Sequence, residues 1–272
     1  MAMNEGVEKP ERHPEDTIFF VIPALNEEGN IRDTINTILE ANKGYQYKLN
    51  ILIVNDGSND GTDKVAETLA NEYSFVEVVH NKFTRGMGTA FVIGIMKNIS
   101  MEVTYNSYYG LIPGDNEVAI ETIISVFENA GKADAILHYP DNKKVRTWQR
   151  RLISNMFKNI NNLLFRMNLR YFNGPVFFRY ELLREMDIPT RFFSFHAETV
   201  IRFIKHGYSY IEVPGKLQLR KEGKSTALKW WNFIGIMLGT FFIFADVYII
   251  RRMHQRKRQE TVETENDIPK EN

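Results

Sequence analysis

The 272-residue chain contains no cysteine. Disulfides and thiolate metal sites are excluded, and the chain suits a reducing compartment such as the cytoplasm. It also lacks charge imbalance: Lys plus Arg and Asp plus Glu each number 34, a formal net charge of zero. A general nucleic-acid binder normally carries a basic excess or stripe, so that class is set aside. No internal repeat and no low-complexity tract is present. Residues 1–16 are polar, with Pro10 and Pro14, and hold no apolar core of the kind a secretory signal needs. They read as a disordered leader.

What is present fills a core. Hydrophobic residues make up 43% and charged residues 25%, the balance of an ordinary globular domain. Short apolar runs at 18–22, 49–54, 75–79, 107–112 and 133–137 alternate with amphipathic stretches at 30–41, 60–73, 88–98 and 117–129. This alternation predicts an α/β fold, a mostly parallel central sheet with helices on both faces. Such sheets bind ligands beyond the carboxyl ends of their strands. The second half is less regular: a long amphipathic helix at 148–167, a short apolar run at 174–178, a helix at 195–205 and a strand at 208–213. One folded domain is placed at 17–228.

Residues 230–250 are almost all apolar, with Asp246 the only charge. At about 1.5 Å per residue the run is long enough for a hydrocarbon layer. Trp230 and Trp231 suit an interfacial belt. Lys221, Lys224 and Lys229 precede it and an Arg251 cluster follows it. A crossing helix, a re-entrant helix and an in-plane helix all remain open for 229–252, with membrane contact favoured. Gly235 and Gly239 have G-x-x-x-G spacing, which lets two helices approach and leaves a homo-oligomer open, although chance explains the pair better. A polar tail occupies 253–272.

The chemistry lies at the strand ends. The first strand runs into Pro23-Ala24-Leu25-Asn26-Glu27-Glu28. A helix start, with Asn26 capping, accounts for these polar residues as well as a ligand does. The second strand ends in Asn55-Asp56-Gly57-Ser58-Asn59-Asp60-Gly61-Thr62. Gly57 and Gly61 permit a tight turn, and Asp60 or Thr62 can cap the next helix. Asp56 is not needed for the turn, and its carboxylate can accept hydrogen bonds from a base or ribose.

At this spacing, V-I-P-A-x-N-E-E followed by V-x-D-G-S-x-D-G-T resembles the opening of the inverting glycosyltransferase family 2. The resemblance implies an A-type nucleotide-sugar-binding fold. It also implies a uridine or guanosine diphosphate sugar donor, with Pro23, Ala24, Asn26, Glu27 and Asp56 lining the nucleotide pocket. The segment from Asn81 to Ala90 resembles the family's K-G-x-G-x-A loop, in which Gly86 permits close backbone approach and Arg85 reaches the diphosphate. Where the family has D-x-D, this chain has Asp115-Asn116-Glu117 after Pro113-Gly114. Two hard oxygen ligands at this spacing serve one Mg or Mn ion, with phosphate oxygens and water completing its shell. Asp115 is the principal ligand. Glu117 is the second, unless it only starts the following helix.

Further on, Arg150-Arg151-Leu152-Ile153-Ser154 resembles the R-x-L-I-S segment of the polyprenyl-phosphate sugar synthases, the dolichol-phosphate mannose synthase group. A solvated basic helix face is the plain alternative. Glu198, followed by Gly207 and Glu212-Val213-Pro214, is similar to that group's E-x-x-x-R and G-Y-x-x-x-E-V-P run. Arg220, Lys224 and Ser225 resemble its R-x-x-G-x-S phosphate loop. The group's S-G-F-R is replaced by Asn173-Gly174-Pro175-Val176, without the arginine. His196 is a titratable group without a role in this pattern.

The resemblance implies transfer of a sugar to a polyprenyl (dolichyl or undecaprenyl) phosphate at a membrane. Arg150, Ser154, Arg220, Lys224 and Ser225 would hold the acceptor phosphate. The phosphate is already ionised, so no strong base is needed, and positioning and charge neutralisation carry the catalysis. A sugar-hydroxyl acceptor would instead need a carboxylate base, for which Glu198 is the candidate. A non-catalytic nucleotide-sugar binder with a decayed metal site is the third reading.

Overall fold

The computed structural model describes residues 13–142, 147–186, 188, 195–218, 239–241, 243–245 and 248. Arg220, Lys224 and Ser225 lie outside these residues, as do most of 219–272. The described body begins ahead of the first strand. Asp16 is buried, receiving the Thr104 hydroxyl at 2.6 Å and the His13 amide at 3.0 Å.

The elements run β1 (Thr17–Ala24), α1 (Ile31–Asn42), β2 (Lys48–Asn55), α2 (Thr62–Glu72), β3 (Val76–His80), α3 (Met87–Lys97) and β4 (Tyr108–Leu111). Then follow α4 (Ile120–Asn129), β5 (Ala135–Pro140), α5 (Trp148–Phe165), β6 (Val176–Arg179), α6 (Tyr180–Arg184), α7 (Phe195–Lys205) and β7 (Tyr210–Gly215). The seven strands form one sheet in the order β3-β2-β1-β4-β6-β5-β7. All are parallel except β6, which runs antiparallel between β4 and β5. The expected mostly parallel α/β architecture is present.

The twofold alternation of a strand divides the core into two layers. Ile18, Phe20, Ile22 and Ala24 of β1 face α1, α2 and α4. Phe19 and Val21 face α3 and α5–α7. All six are at most 1% exposed. Each large apolar side chain so buried stabilises the fold by roughly 1.5–3 kcal/mol.

Pro23 sits in a central strand without breaking it. The register of β1 with β4 stops at Val21, so the missing N–H falls beyond the last ladder pair. The Pro23 carbonyl still accepts from Gly114 N at 3.0 Å. Pro214 lies in β7, an edge strand, where a missing donor costs little.

Among the described residues no helix is long and apolar enough to cross a membrane. The 230–250 run is mostly outside them. Among its described members Phe241 is exposed, whereas Ile243 is buried and the rings of Phe244 and Tyr248 lie 6.3 and 6.2 Å from that of Phe165.

Candidate functional site

Parallel pairing brings the carboxyl ends of β1, β2 and β4 together, and with them the three loops singled out in the sequence. Asp56 N donates to Ala24 O at 2.8 Å on one side of β1, and Gly114 N reaches Pro23 O on the other. The loop after β1 is laced to the loop after β2. Asn26 N donates to Ser58 Oγ (3.0 Å), Asn26 Oδ1 accepts from Asn59 N (2.8 Å), and Glu27 N donates to Thr62 Oγ1 (2.9 Å). Asn26 takes a left-handed backbone, φ 58°. It does not cap α1 as a helix start would require: Asn30 occupies that position, also without a side-chain cap bond. Asp60, in contrast, receives Thr62 N at 3.0 Å at the start of α2.

Asp56 is 4% exposed, and its carboxylate is largely committed. Oδ1 accepts from Asn81 Nδ2 (2.9 Å) and Arg85 N (2.8 Å), and Oδ2 from Gly86 N (2.7 Å). A carboxylate has about four acceptor positions, so one is left for a ligand. The main work of Asp56 is to pull the loop before α3 onto the sheet edge. Gly57 and Gly86, with φ of 79° and 85°, permit that path. A Cβ on Gly57 would lie 3.1 Å from the backbone of Phe83 and Thr84. Arg85 is thereby held by its backbone with an exposed side chain. An open groove of about 650 Å3 adjoins this loop, lined in part by Gly57, Asn59, Lys64, His80 and Lys82.

Asp115 is 5% exposed at the end of β4. Its Oδ1 accepts Glu117 N at 3.0 Å, closing a short turn through Asn116 at φ 52°. Glu117 does not start a helix: α4 begins at Ile120. The turn is clamped from two sides. The Thr37 hydroxyl of α1 lies 3.2 Å from Asn116 Oδ1. Gln218 donates its side-chain amide to Asn116 O (2.7 Å) and its backbone amide to Glu117 O (2.9 Å). The strip that leads out of β7 is thus paired along the Asp115 turn, continuing through Val118 opposite Leu217.

The donor set fits a hard divalent cation. Asp115 and Glu117 bring two carboxylates into one turn, and no cluster of three or more His, Cys, Asp or Glu suited to a metal occurs among the described residues. Mg or Mn is commonly held by one or two carboxylates plus phosphate oxygens and water.

Arg150 and Ser154 lie on α5, which starts beyond the carboxyl end of β5 and so at the same sheet edge. Thr147 Oγ1 accepts Arg150 N at 3.4 Å as the helix cap. Arg150 and Ser154 are half-buried, whereas residues 151–153 between them are exposed. Glu198 is in the first turn of α7. The N-terminus of that helix abuts α3, where a Cβ on Gly88 would meet the Phe195 ring at 3.2 Å. Glu198 is 5% exposed, and its Oε1 receives Arg202 Nε (3.1 Å) and Nη2 (2.9 Å). It is one half of a buried ion pair. His196 beside it is pushed down to about 4 by burial, so it is neutral at pH 7.

Sequence reasoning missed Thr37, Asn81, Gln218 and His138. Asn81 fell inside a quoted motif but had no assigned partner. The others are ordinary polar residues whose roles come from contacts far along the chain. His138 Nδ1 donates to Pro175 O at 2.9 Å and so holds the Asn173-Gly174-Pro175 segment at the edge between β5 and β6. Gly174 is required there: a Cβ would sit 1.9 Å from His138 O.

Residues 19–188 match the family described as Glycosyl transferase family 2. Polyprenol monophosphomannose synthase from Mycolicibacterium smegmatis is 25% identical over 224 residues, 78% of this chain and 81% of that protein. Two solved structures share the fold. Glucosyl-3-phosphoglycerate synthase from Mycobacterium tuberculosis, in complex with Mn2+, UDP-Glc and phosphoglyceric acid, has a TM-score of 0.59 at 14% identity, covering 85% of this chain and 80% of that one. A mannosyltransferase from Pyrobaculum calidifontis, in complex with GDP-Man and Mn2+, has a TM-score of 0.55 at 16% identity, covering 89% and 75%.

Proposed function

Because the chain belongs to glycosyl transferase family 2, we propose that it moves a sugar from a nucleoside diphosphate sugar to a polyprenyl phosphate. The reaction takes place at a membrane surface, with the catalytic domain in the cytoplasm. The observation that carries the acceptor is the placement of Arg150 and Ser154. They lie one helical turn apart, half-buried, in the N-terminal part of a capped helix that starts at the ligand edge. A helix N-terminus with a guanidinium and a hydroxyl suits a phosphate. The relative from Mycolicibacterium smegmatis, named as a polyprenol monophosphomannose synthase, supports the same acceptor class.

The chemistry is an inverting displacement. An acceptor phosphate oxygen attacks the anomeric carbon, the new carbon–oxygen bond forms, and the bond to the nucleoside diphosphate breaks with its electron pair on the diphosphate. Phosphate arrives ionised, so no proton is removed. Pro23, Ala24, Asn26, Glu27 and Asp56 line the nucleoside side, and Arg85, Gly86, Asp115 and Asn116 the diphosphate side. Arg220, Lys224 and Ser225 follow the strip paired to the Asp115 turn and complete the acceptor phosphate site. Asp115, with Glu117 beside it, would hold Mg or Mn, which when bound supplies charge neutralisation of the departing diphosphate.

The test is transfer from a panel of uridine and guanosine diphosphate sugars to polyprenyl phosphate, with Mn, Mg or chelator. The expected result is metal-dependent sugar in the lipid phase, reduced by about a hundredfold or more in Asp115→Asn. Nucleotide release without lipid product would overturn the acceptor and favour a sugar hydroxyl. Absence of donor binding would overturn the donor site and leave a non-catalytic protein.

A further inference from the structure

The loops that follow β1, β2, β3 and β4 carry most of the residues assigned to the donor, and they are poor in rings. Residues 25–30, 56–61, 81–86 and 112–119 contain a single aromatic side chain, Phe83. It is 78% exposed. A lone exposed apolar residue on a protein surface calls for no ligand. Phe83 differs in how it is held and in where it stands.

A ring this exposed is usually found on a loose loop tip. The loop from Asn81 to Gly86 is instead tied down at both ends. Asn81 N donates to Asn55 O at 2.8 Å and Asn81 Nδ2 to Asp56 Oδ1 at 2.9 Å. At the other end Arg85 N and Gly86 N donate to the same carboxylate at 2.8 and 2.7 Å. Between these ties the Phe83 backbone rests on Gly57, where a Cβ would lie 3.1 Å from the Phe83 carbonyl carbon and 3.3 Å from its Cα. The backbone is fixed while the ring is left in water. A planar ligand that covers the ring therefore gains apolar contact without having to order the loop.

Topology says which part of the donor reaches this ring. The strands run β3-β2-β1-β4 along the sheet, with Phe83 after β3 and Asp115 after β4. Three strand spacings separate the two loops, about 14 Å along the edge. A nucleoside diphosphate with its diphosphate at Asp115 covers that span only end to end, so its base arrives beside Asp56 and Phe83. Arg150 and Ser154 follow β5, on the far side of Asp115, so the acceptor does not compete for the ring.

We propose that Phe83 is the stacking platform for the base of the donor nucleotide. The ring covers one face of the base, and the edge of the base meets the acceptor position that Asp56 has left. Every base offers a π-face, so Phe83 sets the affinity for nucleoside diphosphates as a class and leaves the choice between uracil and guanine to the base edge. This role rests on the donor reading above, which gives Phe83 none.

The test is calorimetric titration of full-length protein with UDP, GDP and, as the base-free control, pyrophosphate, each with Mn2+. Phe83→Ala should weaken the bound nucleoside diphosphate about tenfold or more and leave pyrophosphate unchanged. Phe83→Leu keeps an apolar side chain without a ring and should lose nearly as much, whereas Phe83→Trp should retain the affinity. The chain's own tryptophans are at 148, 230 and 231. With these three replaced by Phe, the indole introduced by Phe83→Trp should be quenched by the nucleoside diphosphate and not by pyrophosphate. Thermal melting of each variant should match the parent, because the ring is exposed. UDP and GDP held as tightly by Phe83→Ala as by the parent would overturn the proposal and leave the donor reading standing. A parallel loss of pyrophosphate would also overturn it, since a displaced loop rather than a lost stack would be the cause. A parent chain that binds neither UDP nor GDP would overturn the donor reading, and this role with it.

Discussion

His138 gives the fold a calculable sensitivity to acid. The side chain is 3% exposed, on β5 directly behind the Asn173-Gly174-Pro175 segment. Its Nδ1–H is fixed on Pro175 O, and Nε2 lies 2.8 Å from Ser125 Oγ. Ser125 Oγ also lies 2.8 Å from Thr122 O. A protonated ring therefore keeps both contacts, with the serine hydroxyl turned to Thr122. What opposes protonation is burial, which pushes the group from 6.5 down to about 4. The folded value lies below the unfolded one, so the protonated unfolded chain gains as pH falls. Stability is unaffected above about pH 6.5 and is lost progressively down to about pH 4. A shift of this size is worth on the order of 3 kcal/mol in full and about 2 kcal/mol at pH 5. With a urea slope of about 2 kcal/mol/M, the midpoint should move by about 1 M between pH 7.5 and 5 from this group alone. His196 adds loss of the same sign, so the assay is a difference. His138→Asn retains a donor for Pro175 O and removes the titration. Its midpoint should fall less than that of the parent chain over the same range. Equal pH dependence in the two proteins would refute the assignment.

Gly174→Ala puts a Cβ 1.9 Å from a backbone carbonyl oxygen, which cannot move aside. The expected loss is about 3 kcal/mol or more, read as a lowered denaturation midpoint. Arg202→Met strips the partner from a carboxylate that is 5% exposed, and should cost about 3–5 kcal/mol. Glu198→Gln keeps a hydrogen-bond acceptor for Arg202. Transfer to a phosphate acceptor should then fall less than tenfold, whereas a drop of about 10²–10⁴ in kcat would identify Glu198 as a base and reject the phosphate acceptor.

The first half of the fold was legible because its signals are local. The apolar run at 18–22 lies inside Thr17–Ala24, and the helical spacing at 30–41 is Ile31–Asn42 shifted by one residue. The run at 174–178 was visible as apolar, but direction is not written in a run that is apolar on both faces, so the antiparallel insertion of β6 was not readable. A five-residue α6 is too short to show a period. The site divides similarly. Motif spacing placed Asp56 and Asp115 at the sheet edge. It did not show that Asp56 is tied to amides about thirty residues on, at Arg85 and Gly86. Asn26 read as a cap because its residue type suits one, but tertiary bonds to Ser58 and Asn59 set its backbone instead.

Non-local bonds also fix the Asp115 turn, from elements far apart in the chain. The Asp115 turn is held by Thr37 of α1 and by Gln218 beyond β7. Gln218 belongs to the strip that leads out of β7. A shift of the turn and a shift of this strip are therefore one motion, because two hydrogen bonds from a single residue join them. The proposed reaction requires two phosphate-bearing partners to meet in line, which a fixed turn would serve. Most of the barrier in such a reaction is lowered by position and by placed charge rather than by proton transfer. At 173–176, where the resemblance implies an arginine, Pro175 is instead pinned by neutral His138, and this edge contributes shape.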